Sequence, residues 1–215
     1  MRVALLLSGQ YRNGKELIHN LYESIIKQYE PDIFISYNYD TNVEVNLDIL
    51  NQLYNPKQIQ FDKYPMLSVD SNNVATETNP NSLVRMLYGI DKVNELKSNY
   101  EVANGFKYDF VIRTRFDLEY SQPLELKNFN DITIPIGWDH RGGYNDTFAY
   151  GSSEAMDYYA SLINNLQTYL NEGALLHPEL LLKYHLDKGQ YGILRSSIPI
   201  KLRGIELDKL EYRQK

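Results

Sequence analysis

Two apolar runs near the N-terminus, and the helix between them, constrain the fold more than any other stretch. Arg2–Leu7 (RVALLL) is an unbroken apolar run of strand length, and Asp32–Tyr37 (DIFISY) is a second. Between them Lys15–Tyr29 carries Leu17, Ile18, Leu21, Tyr22, Ile25, Ile26 and Tyr29 at helical spacing, and Pro31 ends the helix. Strand, helix, strand in that order makes a parallel pair joined by a right-handed crossover. Open α/β sheets collect ligands at the carboxyl ends of such strands. The loop Ser8–Gly14 (SGQYRNG) and the stretch Tyr37–Asp40 are therefore expected at a ligand crevice.

The alternation continues. Asn46–Tyr54 predicts a helix and Gln58–Asp62 a strand. Lys63–Asn81 is a long loop without periodicity, of the kind that is often functional or mobile. Ser82–Lys97 predicts a helix with Leu83, Met86, Leu87, Ile90, Val93 and Leu96 on one face. Strands are expected at Ile132–Ile136 and Thr147–Tyr150. A helix capped by Ser152 or Ser153 follows over Glu154–Leu170, with Gly173 near its end. His177-Pro178-Glu179 opens a last helix running to about Lys188, before strands at Ile193–Arg195 and Ile198–Leu202. No repeat or linker interrupts the 215 residues, so one domain over 1–215 is expected. The charged tail Glu206–Lys215 is either a fraying terminus or a lead into a further C-terminal domain.

Mid-chain, Tyr108–Tyr120 (YDFVIRTRFDLEY) starts as a buried strand and ends in alternating charge. If the extended conformation persists, period-2 alternation puts Arg113, Arg115, Asp117 and Glu119 on one face. A metal together with a phosphate would satisfy both signs. The plainer alternative is an Arg–Asp ladder at a strand end, which is worth little on an exposed surface.

Composition narrows the function. With 43% hydrophobic and 23% charged residues the chain can build a core. A net charge of −6 argues against a general nucleic-acid binder. The absence of cysteine excludes disulfides, thiolate zinc sites and cysteine nucleophiles, and suits a reducing, cytoplasmic compartment. No apolar segment approaches the roughly 20 residues of a membrane span. Dinucleotide, P-loop, serine-hydrolase and zincin signatures are missing.

Several residues remain as candidates. Gly9 permits close backbone approach and Arg12 can meet a phosphate bidentately, or the loop is a plain strand-to-helix turn. Asp117 and Glu119 form an acid-x-acid pair of the type that holds Mg²⁺-like ions. His177 is either a helix-start packing residue or a third ligand, giving mixed oxygen and nitrogen coordination compatible with Mn²⁺. Trp138 and His140 offer a sugar-contacting platform and a polar handle, or Trp138 anchors its loop to the core. Asp146 is placed for general-base work, although turns also favour Asp. Glu179 sits at a helix N-terminus, where negative charge is favoured anyway. His19 and His185 fall inside helical patterns and read as structural.

Taken together, RVALLLSGQYRN, DIFISY, YDFVIRTRFDLEY, GYNDTFAYGSSEAMDYY and HPELLLKYHL resemble GT-A-type glycosyltransferases. They are similar to the small glycosyltransferase domains of large algal (chlorella) viruses and to related bacterial polysaccharide enzymes. The resemblance runs from Arg2 to about Leu186. It implies a single α/β, Rossmann-like GT-A domain with a mixed, mostly parallel central sheet flanked by helices. The nucleotide-binding half would span about 1–120 and the acceptor half about 121–215. The implied donor is a nucleotide-diphosphate sugar, a UDP-sugar favoured, and the implied acceptor a glycan. Mn²⁺ or Mg²⁺ would sit on the diphosphate, and the setting would be the host cytoplasm if the source is viral.

By that resemblance Ser8, Gly9, Gln10 and Arg12, with Tyr37, hold the nucleotide. Asp117, with Glu119 and His177, holds the metal, Glu119 standing where the family has a second Asp. Arg113 or Arg115 orients that acid or contacts phosphate. Trp138, His140 and Glu179 serve the acceptor or sugar. Asp146 is the base of an inverting enzyme, or binds sugar hydroxyls in a retaining one. The competing expectations are a non-catalytic nucleotide-sugar or glycan-binding module, and a sugar nucleotidyltransferase. The latter wants a Gly-rich, Arg/Lys-bearing loop after the first strand, which this chain lacks.

Overall fold

In the computed structural model, which describes residues 1–39, 45–65, 68–70, 72–127 and 131–203, the first half alternates strands and helices. It comprises β1 (Val3–Ser8), α1 (Gly14–Leu21), a wide π-helical turn (Tyr22–Ile26), α2 (Lys27–Tyr29), β2 (Asp32–Tyr39), α3 (Leu47–Tyr54), β3 (Gln58–Lys63), α4 (Pro80–Asn104) and β4 (Phe110–Thr114). Then follow β5 (Leu118–Tyr120), β6 (Ile132–Pro135), a short turn (His140–Gly142), β7 (Ala149–Gly151), α5 (Ser153–Ala160), α6 (Leu162–Asn171), α7 (Pro178–Asp187), β8 (Ile193–Ser196) and β9 (Ile200–Leu202). Asp40 and the Glu206–Lys215 tail lie outside the described residues.

The fold is α/β, with a seven-stranded, mixed, mostly parallel sheet in the order β3-β2-β1-β4-β7-β6-β8. Only β7 runs against its neighbours in that sheet. Alternate residues of β1 feed two cores. Val3, Leu5 and Leu7 pack with Leu21, Ile25 and Tyr54 on one face. Ala4 and Leu6 pack with Leu83, Leu87, Ile90, Met156 and Leu182 on the other. A strand apolar on both faces is the pattern of a sheet covered by helices on both sides. None of the described helices is long and apolar enough to cross a membrane.

Four elements differ from the sequence expectation. The helix expected over Lys15–Tyr29 is interrupted by the π turn, and Glu30 ends it in the left-handed region at φ 44°. The helix expected over Ser82–Lys97 continues to Asn104, where Gly105 caps it at φ 67°. The helix expected over Glu154–Leu170 breaks at Ser161, whose Oγ donates to the Tyr158 carbonyl at 2.8 Å. Such local side-chain bonds compete with the helical ladder.

The fourth difference matters most for function. β4 stops at Thr114, Phe116 and Asp117 turn the chain, and β5 leaves to pair antiparallel with β9 in a separate two-stranded sheet. The turn breaks the period-2 register, so Arg113, Arg115, Asp117 and Glu119 do not share a face.

Candidate functional site

The chain steps outward from β1 to β2 and β3, then returns to the other side of β1 to form β4. The carboxyl ends of β1 and β4 therefore flank a topological switch point, where open α/β sheets leave a crevice. The loop after β1 makes its turn with Gly9 at φ 111°, in open space, and with Arg12 at φ 40°. Holding a non-glycine residue in that left-handed region costs about 1–2 kcal/mol. In return the Arg12 side chain reaches across the crevice. Its Nη1 donates to Asp117 Oδ2 at 2.7 Å and its Nε to Gln10 Oε1 at 2.9 Å.

Arg115, just past β4, lays one edge of its guanidinium on the same carboxylate. Nε donates to Oδ1 at 2.8 Å and Nη2 to Oδ2 at 2.9 Å. The Asp117 side chain is 0% exposed, whereas those of Arg12 and Arg115 are 34% and 18% exposed. Two guanidiniums therefore meet on one buried carboxylate at this end of the sheet. Two neutral features favour an anion too. α1 begins beside this loop with no side-chain cap. Ser8 Oγ is buried with no hydrogen-bond partner among the described residues.

A second cluster forms where α7 begins. His177 and Glu179 are 3% and 7% exposed. His177 Nε2 lies 3.4 Å from Glu77 Oε1, and His140 Nε2 lies 3.9 Å from Glu179 Oε1. His177 Nδ1 is 3.2 Å from Glu179 Oε2, yet both atoms lack a hydrogen bond, so the two groups touch out of line. Burial, and then the charge of Asp146, push the Glu179 carboxyl up to about 7. Burial lowers the pKa of His177. Arg141 closes the outside with a two-point pair to Glu77 at 2.5 and 3.0 Å.

Asp146 joins the two clusters. Its backbone carbonyl accepts from Arg113 Nη1, and its charge is felt by Arg115 on one side and by Glu179 and His177 on the other. The loop that carries it is held by Asp139, which accepts from Arg195 Nη2 at 2.5 Å and from the Asn145 amide at 3.2 Å. Trp138, at φ 55°, lies on that loop with 40% of its surface exposed.

The other expected residues are placed differently. Tyr37 is a core residue, stacked on Phe61 at 5.5 Å and edge-on to Phe116 at 6.4 Å. Arg113 is 1% exposed and supports the Asp146 loop; it does not join Arg115. Glu119 forms a two-point pair with Arg203 at 2.6 and 2.8 Å on the small sheet. Asp117, Glu119 and His177 thus have three separate sets of partners, namely Arg12 with Arg115, Arg203, and Glu77 with Glu179. Among the described residues no group of three His, Asp or Glu side chains converges to hold a metal ion. As placed, these three side chains do not converge on one cation position.

His185 is structural as expected, fully buried between the Tyr169 hydroxyl at 2.9 Å and the Tyr158 carbonyl at 2.8 Å. Sequence reasoning missed Glu77, Arg141 and Arg203. Glu77 lies in the long loop after β3, whose length hinted at function without singling out a residue. A family model described as a domain of unknown function (DUF7796) matches residues 1–199. No curated protein matches the chain.

Proposed function

The chain belongs to the DUF7796 family, and we propose that it is a glycosyltransferase moving a sugar from a nucleotide-diphosphate sugar, a UDP-sugar favoured, to a glycan acceptor. One observation carries the proposal. A pair of guanidiniums stands at the switch point, and Asp146 connects them electrostatically to a buried His–Glu cluster. The diphosphate takes the arginine side and the acceptor takes the Glu179 side, with the sugar between them.

In the inverting form, the acceptor hydroxyl oxygen bonds to the anomeric carbon while the bond from that carbon to phosphate oxygen breaks. The electron pair leaves on the nucleoside diphosphate, and the hydroxyl proton passes to the Asp146 carboxylate. Arg12 and Arg115 stabilise the charge that develops on the leaving group, and the sugar centre becomes oxocarbenium-like. In the retaining form Asp146 binds sugar hydroxyls. Glu179, titrating near neutrality, is the second group on the acceptor side able to exchange a proton. A cytoplasmic setting is part of the same proposal and rests on the cysteine-free composition.

Slow hydrolysis of a panel of nucleotide sugars, without acceptor, tests the reading. Nucleoside diphosphate release is expected from at least one donor, falling about 100-fold in Arg115→Ala. Pyrophosphate release from a sugar 1-phosphate and a nucleoside triphosphate, with no donor hydrolysed, would instead make it a nucleotidyltransferase. Binding of a nucleotide sugar with neither reaction would make it a binding module.

A further inference from the structure

We infer that the crevice holds a diphosphate through Arg12 and Arg115 without a divalent cation, and that Asp117 is a positioning residue for the two guanidiniums, not a metal ligand. The inference rests on the donor reading above for the identity of the anion, but its geometry is independent of it.

The carboxylate and its two cations are exposed in the wrong order for a metal site. Asp117 has no exposed side-chain surface, while Arg12 and Arg115 keep 34% and 18% of theirs. An incoming group meets guanidinium before it meets carboxylate. Both Asp117 oxygens already accept charged N–H donors, three in all, from the two arginines. The backbone of Asp117 is fixed as well, its carbonyl accepting from the Arg203 amide at 2.8 Å. Among the described residues, neither Asp117 carboxylate oxygen is left without a charged donor.

The arrangement does orient two forks. Arg115 spends its Nε–Nη2 edge on the carboxylate, and the guanidinium is planar, so its opposite edge points away from Asp117. Arg12 is held from two sides, by Gln10 and by Asp117. Planar forks set at fixed angles suit the oxygens of two linked phosphates. The same loop carries the buried Ser8 hydroxyl, which lacks a partner among the described residues, and leads into α1, which has no side-chain cap although its first amide, of Gly14, donates to the Tyr11 carbonyl at 2.7 Å. Glu119, the expected second acid, is committed to Arg203 and does not join Asp117.

Calorimetry on the full chain tests this, with UDP, GDP, dTDP and inorganic pyrophosphate titrated in EDTA and again in Mn²⁺. Pyrophosphate and at least one nucleoside diphosphate are expected to bind in EDTA, with affinity in Mn²⁺ within about threefold. Arg115→Lys keeps the charge but loses the fork, and should weaken binding at least about tenfold in both conditions. Arg12→Gln, on an exposed side chain, should do the same. Asp117→Asn should weaken binding equally with and without Mn²⁺, because it loosens the arginines.

Binding that requires Mn²⁺, with Asp117→Asn removing only the Mn²⁺-dependent part, overturns the inference and leaves the glycosyltransferase reading standing. Pyrophosphate binding without that of any nucleoside diphosphate keeps the anion site and overturns the donor reading. Failure of all four ligands in both conditions overturns both. Circular dichroism of each variant separates lost binding from lost folding.

Discussion

Glu179 shows how far surroundings can change one side chain. Its carboxyl is raised from 4.5 to about 7, by burial first and by the charge of Asp146 second. The folded pKa lies above the unfolded one, so folding favours the protonated acid. That contribution is fully present below about pH 4.5 and is lost as pH rises through about 7, a swing of about 3 kcal/mol. His177 offers no compensating charge, since burial biases it toward neutral imidazole. Glu179→Gln keeps the shape of the protonated acid and cannot ionise. It should match the parent in urea unfolding at pH 4.5 and exceed it by up to about 3 kcal/mol at pH 8. An equal gap at both pH values would mean that Glu179 does not carry the shift. Residue by residue, chemistry was easier to read than partnership. Arg115 and Asp117 stood out because an apolar run fed straight into them. The contact of Asp117 with Arg12, 105 positions away, left no local trace.

Elements bring such residues together, and the 137–146 loop approaches α7 closely. A Cβ added at Gly143 would sit 2.3 Å from the Glu179 carbonyl carbon and 2.5 Å from its oxygen. The Tyr144 amide donates to that same oxygen at 2.9 Å. The backbone at Gly143 has φ −78°, open to any residue, so space is the constraint there. Gly142 is the reverse case, with φ 76° and nothing within 4 Å. Gly143→Ala should therefore lower stability by about 1–3 kcal/mol and push His140 away from Glu179. Gly142→Ala should cost about 1–2 kcal/mol and leave the loop in place. Thermal unfolding, with transfer to acceptor compared against hydrolysis, separates them. Only Gly143→Ala should depress transfer more than hydrolysis, and equal behaviour of the two would dismiss the close approach.

At this scale β1, β2 and the start of α1 were legible from apolar runs and helical spacing, whereas the π turn at Tyr22–Ile26 was not. The end of α4 was not, because its buried face there carries Lys97 and Glu101, which an apolar pattern cannot detect. The turn at Phe116–Asp117 was hidden for a related reason. A run that alternates like a strand is ended there by two arginines gripping one carboxylate.

For the whole molecule, the question is what makes one unit of the stretches before and after residue 120. The sheet joins them through the antiparallel pairing of β4 with β7. A buried ionic network joins them a second time. Lys97 Nζ, fully buried, donates to Asp157 Oδ1 at 2.6 Å, Ser153 Oγ at 2.7 Å and Glu101 Oε2 at 3.3 Å. Glu101 also accepts from Ser153 Oγ at 2.6 Å and from the Tyr108 amide at 2.9 Å. Tyr108 precedes β4, so this network lies at the opposite end of the strand from Asp117. Lys97→Met takes one of two lysines from the buried Glu101, whose Oε2 keeps Lys107 Nζ at 2.9 Å, and breaking such a buried pair costs up to about 3–5 kcal/mol. Adding Glu101→Gln to Lys97→Met should recover part of that loss, because the buried charge that lost one of its two lysines is then gone. Because the sheet is continuous, unfolding in urea should stay a single transition by circular dichroism and by tyrosine fluorescence alike, shifted to lower concentration. Pyrophosphate affinity below the transition should not change, since the arginine crevice is at the far end of β4. A separate early transition in Lys97→Met would show instead that the network alone holds α5–α7 to the sheet. A parallel loss of pyrophosphate binding would show that the two ends of β4 are coupled.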